Sequence, residues 1–135
     1  MESIVATTGM DAPAVLIAED EILVRFAISS SLADEGITVY EAGTAAEAID
    51  MLETDAVIDL VFTDINMPGM LDGLDLARWV HDHRPSVPVI LTSGQIRKSE
   101  ITDETGPFIA KPYDFQSVVS YLAVLARANR KARVQ

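Results

Sequence analysis

The chain of 135 residues has no cysteine. That excludes disulfides, thiolate metal sites and a cysteine nucleophile, and it fits a cytoplasmic protein. Basic residues are scarce, ten against twenty-one acidic ones, for a net charge of −11. Four of the ten (Arg127, Arg130, Lys131 and Arg133) fall in the last nine residues, where there is no acid. Residues 1–126 therefore hold six basic and twenty-one acidic groups, a net −15. So acidic a body is a poor partner for nucleic-acid phosphates. The basic C-terminus reads instead as a short solvated tail over 127–135, whose cations complement the dipole of a preceding helix. Long apolar runs are also missing. None approaches the ~20 residues that cross a bilayer, and the opening MESIVATTGMDAPA lacks the basic start and apolar segment of a secretory signal. Neither nucleic acid nor a membrane is expected as a direct partner.

Hydrophobic residues make up 49% and charged residues 23%, a globular composition with length for one ordinary domain. Residues 1–13 show no periodicity and read as a flexible lead-in to a domain over 14–126. From Ala14, strand-like and helix-like segments alternate. Val15–Ala18, Ile37–Tyr40, Leu60–Thr63, Val87–Leu91 and Phe108–Ala110 are short apolar or β-rich runs, as expected of strands buried in a parallel sheet. Between them lie helical patterns. Residues 21–34 place Ile22, Leu23, Phe26, Ala27 and Ala33 roughly on one side, and Gly36 ends that helix. Thr44 with Glu47 forms a capping-box pattern before Ala45, Ala48, Ile49 and Leu52. Asp72 reads as an N-cap for a helix from Leu74 to Arg84, and Asp114 as a cap before Phe115, Val118, Val119 and Leu122. Residues 94–107 are polar, and a helix there would be short and loosely held. Trp79 reads as helix packing. His81 and His83, two apart on one helix, do not share a face.

The string is (βα)₅, an α/β chain with a parallel sheet covered on both faces. In open sheets of this kind sites lie beyond the carboxyl ends of the strands, where strand order reverses. In the order 2-1-3-4-5 that point falls between strands 1 and 3. The polar groups at the strand ends are Glu19 and Asp20 in VLIAED, Asp64 in LVFTD, Thr92 in VILTS and Lys111 in FIAKP. Three carboxylates in one pocket repel unless a cation sits among them, and an all-oxygen donor set suits Mg²⁺, Mn²⁺ or Ca²⁺. A carboxylate can also attack phosphorus to form an acyl phosphate, with a metal and a lysine neutralising charge on the transferred group. Each residue has a duller explanation as a turn, cap or surface group. Together, their complementary types at the same end of successive strands favour function.

These residues, in order and at this spacing, resemble the receiver domain of bacterial two-component response regulators, over about residues 14–126. The resemblance implies a flavodoxin-like doubly wound fold and the following roles. Asp64, in FTDINMP, would accept a phosphoryl group from a histidine kinase or phosphotransfer protein. Asp20, Asp64 and the backbone carbonyl of Asn66 would hold Mg²⁺, with Glu19 acting through a water. Lys111 would pair with Asp64 and then with the phosphoryl group, and the Lys111–Pro112 bond would be cis. Thr92 and Phe108 would be the switch pair. Phe108 has no hydroxyl, so its part would be steric. MPGMLDG is one residue longer than is usual for the family, which implies a reshaped loop beside the acceptor.

The chain ends soon after the fifth helix, so a stand-alone, single-domain regulator is expected. It would not be an enzyme but a phospho-acceptor that signals to a partner protein, or relays or drains phosphate. A haloacid dehalogenase-type phosphatase would also use Asp, Thr, Lys and Mg²⁺. It usually needs a second acid two residues after the nucleophile, where this chain has Asn66. A receiver-like scaffold that is not phosphorylated is the third reading, and intact Asp64, Thr92 and Lys111 argue against it.

Overall fold

The computed structural model describes residues 12–95, 101–102 and 105–133. Five parallel strands form one sheet in the order β2-β1-β3-β4-β5. They are β1 (Ala14–Ala18), β2 (Thr38–Ala42), β3 (Leu60–Asp64), β4 (Val89–Ser93) and β5 (Phe108–Ala110). The helices among the described residues are α1 (Ile22–Asp34), α2 (Ala45–Leu52), α3 (Gly73–His83) and α4 (Phe115–Arg133).

β1, β3 and β4 are buried along their whole length, which is why they read as unbroken apolar runs rather than alternating ones. The pleat divides them between two cores. Leu16, Val61 and Leu91 join α2 and α3 on one face, while Val15, Ile17, Leu60 and Phe62 join α1 and α4 on the other. β2 and β5 are edges and only partly covered.

The strand boundaries differ from the sequence reading in a way that matters. β4 begins at Val89 because Pro88 has no N–H to donate and Val87 N–H donates to Arg84 O at 2.9 Å. It then continues through Thr92 and Ser93, which pair with Ile109 and Ala110. β2 likewise starts at Thr38 and runs to Ala42, since Ile37 N–H is taken by Leu32 O at the end of α1. Asp64 and Thr92 thus lie within the last two residues of their strands, directly paired with each other.

The helix ends follow the caps. Gly36, at φ 83°, closes α1 in the left-handed conformation that favours glycine. Thr44 Oγ1 accepts from Glu47 N–H, but the Glu47 carboxylate reaches Gly43 N–H at 2.7 Å instead of completing the box at Thr44. The reciprocal capping box forms at α3, between Asp72 and Asp75. Asp114 caps α4 by accepting from the N–H and hydroxyl of Ser117 at 2.9 and 2.6 Å.

The apolar face expected for α1 is not the buried one. Ile28, Ser29 and Leu32 face the sheet, whereas Ile22, Leu23 and Phe26 are 68%, 83% and 62% exposed and Ala27 and Ala33 are exposed too. Nor do the arginines of 127–133 hang free. Arg127 pairs with Glu35 at 3.5 Å, and Arg130 and Arg133 reach the fully buried Asp59 at 2.9 and 3.3 Å. Ala12 is buried and Pro13 O accepts from Thr38 N–H, so the end of the lead-in is held against β2. Residues 1–11, and half of the segment expected to be a weak helix (96–100 and 103–104 of 94–107), lie outside the described residues. Trp79 is partly buried, and His83 stacks on it with ring centroids 4.4 Å apart. No helix among the described residues is long and apolar enough to cross a membrane.

Candidate functional site

The sheet order brings β1 and β3 side by side, so Glu19 and Asp20, just past β1, meet Asp64 at the end of β3. One oxygen from each carboxylate lies within 4.8 Å of the others. Glu19 and Asp64 are buried and Asp20 is exposed. Such hard oxygen donors, with one side open to water, suit a divalent cation such as Mg²⁺.

Lys111 follows β5 and spans the pocket from across β4. Its Nζ donates to Asp64 Oδ2 at 2.8 Å and to Glu19 Oε1 at 3.3 Å. Glu19 Oε2 also accepts from Glu21 N–H at 3.0 Å. Burial pushes the Glu19 carboxyl above its ordinary value, since the hydrogen bond from Glu21 and the attraction of Lys111 only partly offset it. Burial pulls Lys111 in the deprotonating direction, but its hydrogen bond and attraction to Asp64, together with Glu19, outweigh that and leave it raised. The ammonium thus stays charged at neutral pH.

Thr92, the register partner of Asp64, is buried, and its Oγ1 makes no hydrogen bond. A buried hydroxyl without a partner is uncommon and calls for an explanation. Here one is available, because a group added to Asp64 would bring oxygen acceptors to the same strand ends. Asn66 N–H donates to Asp64 Oδ1 at 3.1 Å, and its side-chain amide donates to Ser93 Oγ at 3.1 Å. Phe108 pairs in register with Leu91 and is half-buried; it packs against the α2–α3 core and lines a surface groove with Ile109, Tyr113 and Tyr121. The Lys111–Pro112 peptide is cis. The structure therefore gathers Glu19, Asp20, Asp64 and Lys111 into direct proximity and sets Thr92 beside them, with Phe108 on the neighbouring strand.

Two contributions escaped the sequence reading. Gly73, the first residue of α3, packs against the backbone of Asp64 and Ile65, where a Cβ would overlap the Asp64 carbonyl oxygen, and its N–H donates to Ile65 O at 2.8 Å. In the outer part of the 67–71 loop Met70 is fully exposed. The Gly in LDG just before an apolar helical pattern was the available signal. The second is Arg25, whose contacts with Glu19 and Glu41 carried no local sequence signature.

Comparison with known proteins points to one family. The response regulator receiver domain family matches residues 15–123. The C4-dicarboxylate transport transcriptional regulatory protein DctD of Rhizobium meliloti is 35% identical over 127 residues, covering 91% of this chain and 26% of that protein. The transcriptional regulatory protein PdtaR of Mycobacterium tuberculosis is 34% identical over 120 residues, covering 84% of this chain and 58% of its own. The chain thus spans only about a quarter to just over half the length of these relatives. Among solved structures, a response regulator receiver protein from Sinorhizobium medicae superposes with a TM-score of 0.78 at 28% identity, covering 89% of this chain and 98% of that one. A receiver domain protein (CheY-like) from Methanospirillum hungatei gives 0.80 at 22% identity, over 90% and 98%. Matched over residues 15–123, this chain belongs to the response regulator receiver domain family.

Proposed function

We propose that this chain is a phospho-acceptor switch in which Asp64 receives a phosphoryl group from a histidine kinase or phosphotransfer protein. The observation that carries the reading is the Lys111 ammonium, 2.8 Å from the Asp64 carboxylate and shared with buried Glu19, with the unpartnered Thr92 hydroxyl at the paired position. Receiver domains as a family accept phosphoryl groups and pass on signals.

In the transfer, an Asp64 carboxylate oxygen forms a bond to phosphorus while the bond from phosphorus to the donor nitrogen or oxygen breaks. The donor keeps that electron pair, and an acyl phosphate results. Lys111 keeps a cation against the transferred oxygens, and the Thr92 hydroxyl donates to one of them. Glu19, Asp20, Asp64 and the backbone carbonyl of Asn66 would hold Mg²⁺, which when bound supplies further positive charge to the phosphoryl oxygens. Movement of Thr92 leaves space behind it that half-buried Phe108 fills, changing the surface offered to a downstream protein. The chain passes its signal to a protein partner or relays phosphate, and does not turn over a free substrate.

Intact-mass spectrometry after incubation with acetyl phosphate tests this, with and without Mg²⁺, on wild type and Asp64→Asn. One Mg²⁺-dependent phosphoryl adduct, absent from the variant, is expected. An adduct of equal stoichiometry on folded Asp64→Asn would overturn the assignment.

A further inference from the structure

The turn carrying Glu19 and Asp20 is held from two sides. On one, Glu19 N–H donates to Ala42 O, the last residue of β2, at 3.0 Å. On the other, Arg25 Nη1 donates to the Glu19 carbonyl oxygen at 2.7 Å. That carbonyl belongs to the peptide joining Glu19 to Asp20, so its direction sets where the Asp20 backbone leaves the strand. The guanidinium is itself aimed, since its Nε donates to Glu41 Oε1, also in β2, at 3.0 Å. The Arg25 side chain is 20% exposed. Gly43 leaves the guanidinium its room: a Cβ there would stand 3.2 Å from Arg25 Nη1. Two residues of α1 and β2, neither a carboxylate of the pocket, thus fix the geometry of the acidic pair. They also place a permanent cation against the backbone of a turn that carries two negative charges.

We propose that Arg25, aimed by Glu41, is a positioning residue for the cation site, holding the Glu19–Asp20 peptide so that both carboxylates reach Asp64. This rests on the reading of Glu19, Asp20 and Asp64 as a divalent-cation site. Lys111 cannot replace Arg25 in this role: it contacts the carboxylates of Glu19 and Asp64, whereas Arg25 contacts the backbone between Glu19 and Asp20. Groups that orient metal ligands from behind typically change metal affinity by about 10- to 100-fold when removed.

The test is Mn²⁺ binding by the full chain, read from the electron paramagnetic resonance signal of the free ion, with circular dichroism melts to establish that each variant is folded. Wild type binds and Asp20→Asn does not, which locates the ion. Arg25→Ala weakens binding at least about tenfold. Arg25→Lys keeps the stem and the charge but lacks the fork that serves Glu19 and Glu41 together, so it binds between the two. Glu41→Ala weakens binding in the same direction, and Arg25→Ala/Glu41→Ala binds no worse than Arg25→Ala alone, because both act through one guanidinium. If Arg25→Ala does not fold, Arg25→Lys and Glu41→Ala decide the matter. Wild-type affinity in the folded arginine and Glu41 variants, with Asp20→Asn still deficient, overturns the positioning role and leaves the metal site standing. Absence of Mn²⁺ binding by wild type overturns the metal reading and this inference with it.

Discussion

Arg130 grips Asp59 at the end of the sheet remote from Asp64: Nη2 lies 2.9 Å from Oδ2 and Nε 3.2 Å from Oδ1. Asp59 is fully buried, precedes β3, also accepts from Ala14 N–H at 2.8 Å, and forms an ion pair with Arg133 at 3.3 Å. One carboxylate therefore ties the start of β1, the start of β3 and the last turns of α4 together. A chain ending at Ala126 would leave that carboxylate buried without a cation. Stripping one partner from a buried ion pair costs roughly 3–5 kcal/mol, so the shortened chain is expected to lose that much in urea denaturation. Adding Asp59→Asn to the shortened chain should restore part of the loss.

Gly73→Ala places a methyl group against the Asp64 carbonyl oxygen. Overfilling of this kind costs about 1–3 kcal/mol. The backbone that moves carries the acceptor, so the rate of acetyl phosphate labelling should fall as well. Denaturation midpoints and labelling rates on the same samples check both. A variant with lowered stability but unchanged labelling would show that α3 does not position Asp64.

Lys111→Met removes the cation shared by Asp64 and buried Glu19. The lysine is about a quarter exposed, so the expected loss, about 1–3 kcal/mol, falls below that of a fully enclosed pair. The folded-state value of Lys111 is raised. Its contribution is therefore fully present below the unfolded lysine value of about 10.4 and is lost as pH rises through the higher folded value. The stability gap between wild type and Lys111→Met should stay level up to about pH 10.4 and close above it. A gap that closes between pH 7 and 9 would contradict this.

Mg²⁺ should raise the melting temperature, because it binds the native carboxylate cluster and not the unfolded chain. At ten times its dissociation constant the gain is about 1.4 kcal/mol. Asp20→Asn should abolish most of it, which thermal melts across a Mg²⁺ series will show.

Much of this site was legible because its parts end consecutive strands. Asp64 and Lys111 are 47 residues apart, and only the strand order reveals that they meet. The register was less legible. Thr92 reads as lying past the strand, but the backbone of β4 continues through Ser93 because β5 offers it partners. Helix α1 was misread for a physical reason. Apolar periodicity locates a stripe but not the sheet, and the side facing the sheet includes Ser29 while Ile22, Leu23 and Phe26 face outward. The Arg25–Glu41 and Arg130–Asp59 contacts join charged side chains 16 and 71 residues apart, with no apolar pattern to mark them. Composition suggested a solvated basic end where geometry built an anchor.

The loop that begins beside Asp64 is closed at its far end by Gly73, bonded to Ile65, and by the Asp72–Asp75 box. Between these ends Met70 stands wholly in solvent. Since the chain contains no cysteine, Met70→Cys would create a single thiol on the loop that follows Asp64. A fluorophore or spin label attached there could follow the proposed switch at Asp64 in real time, without first stripping the protein of competing thiols.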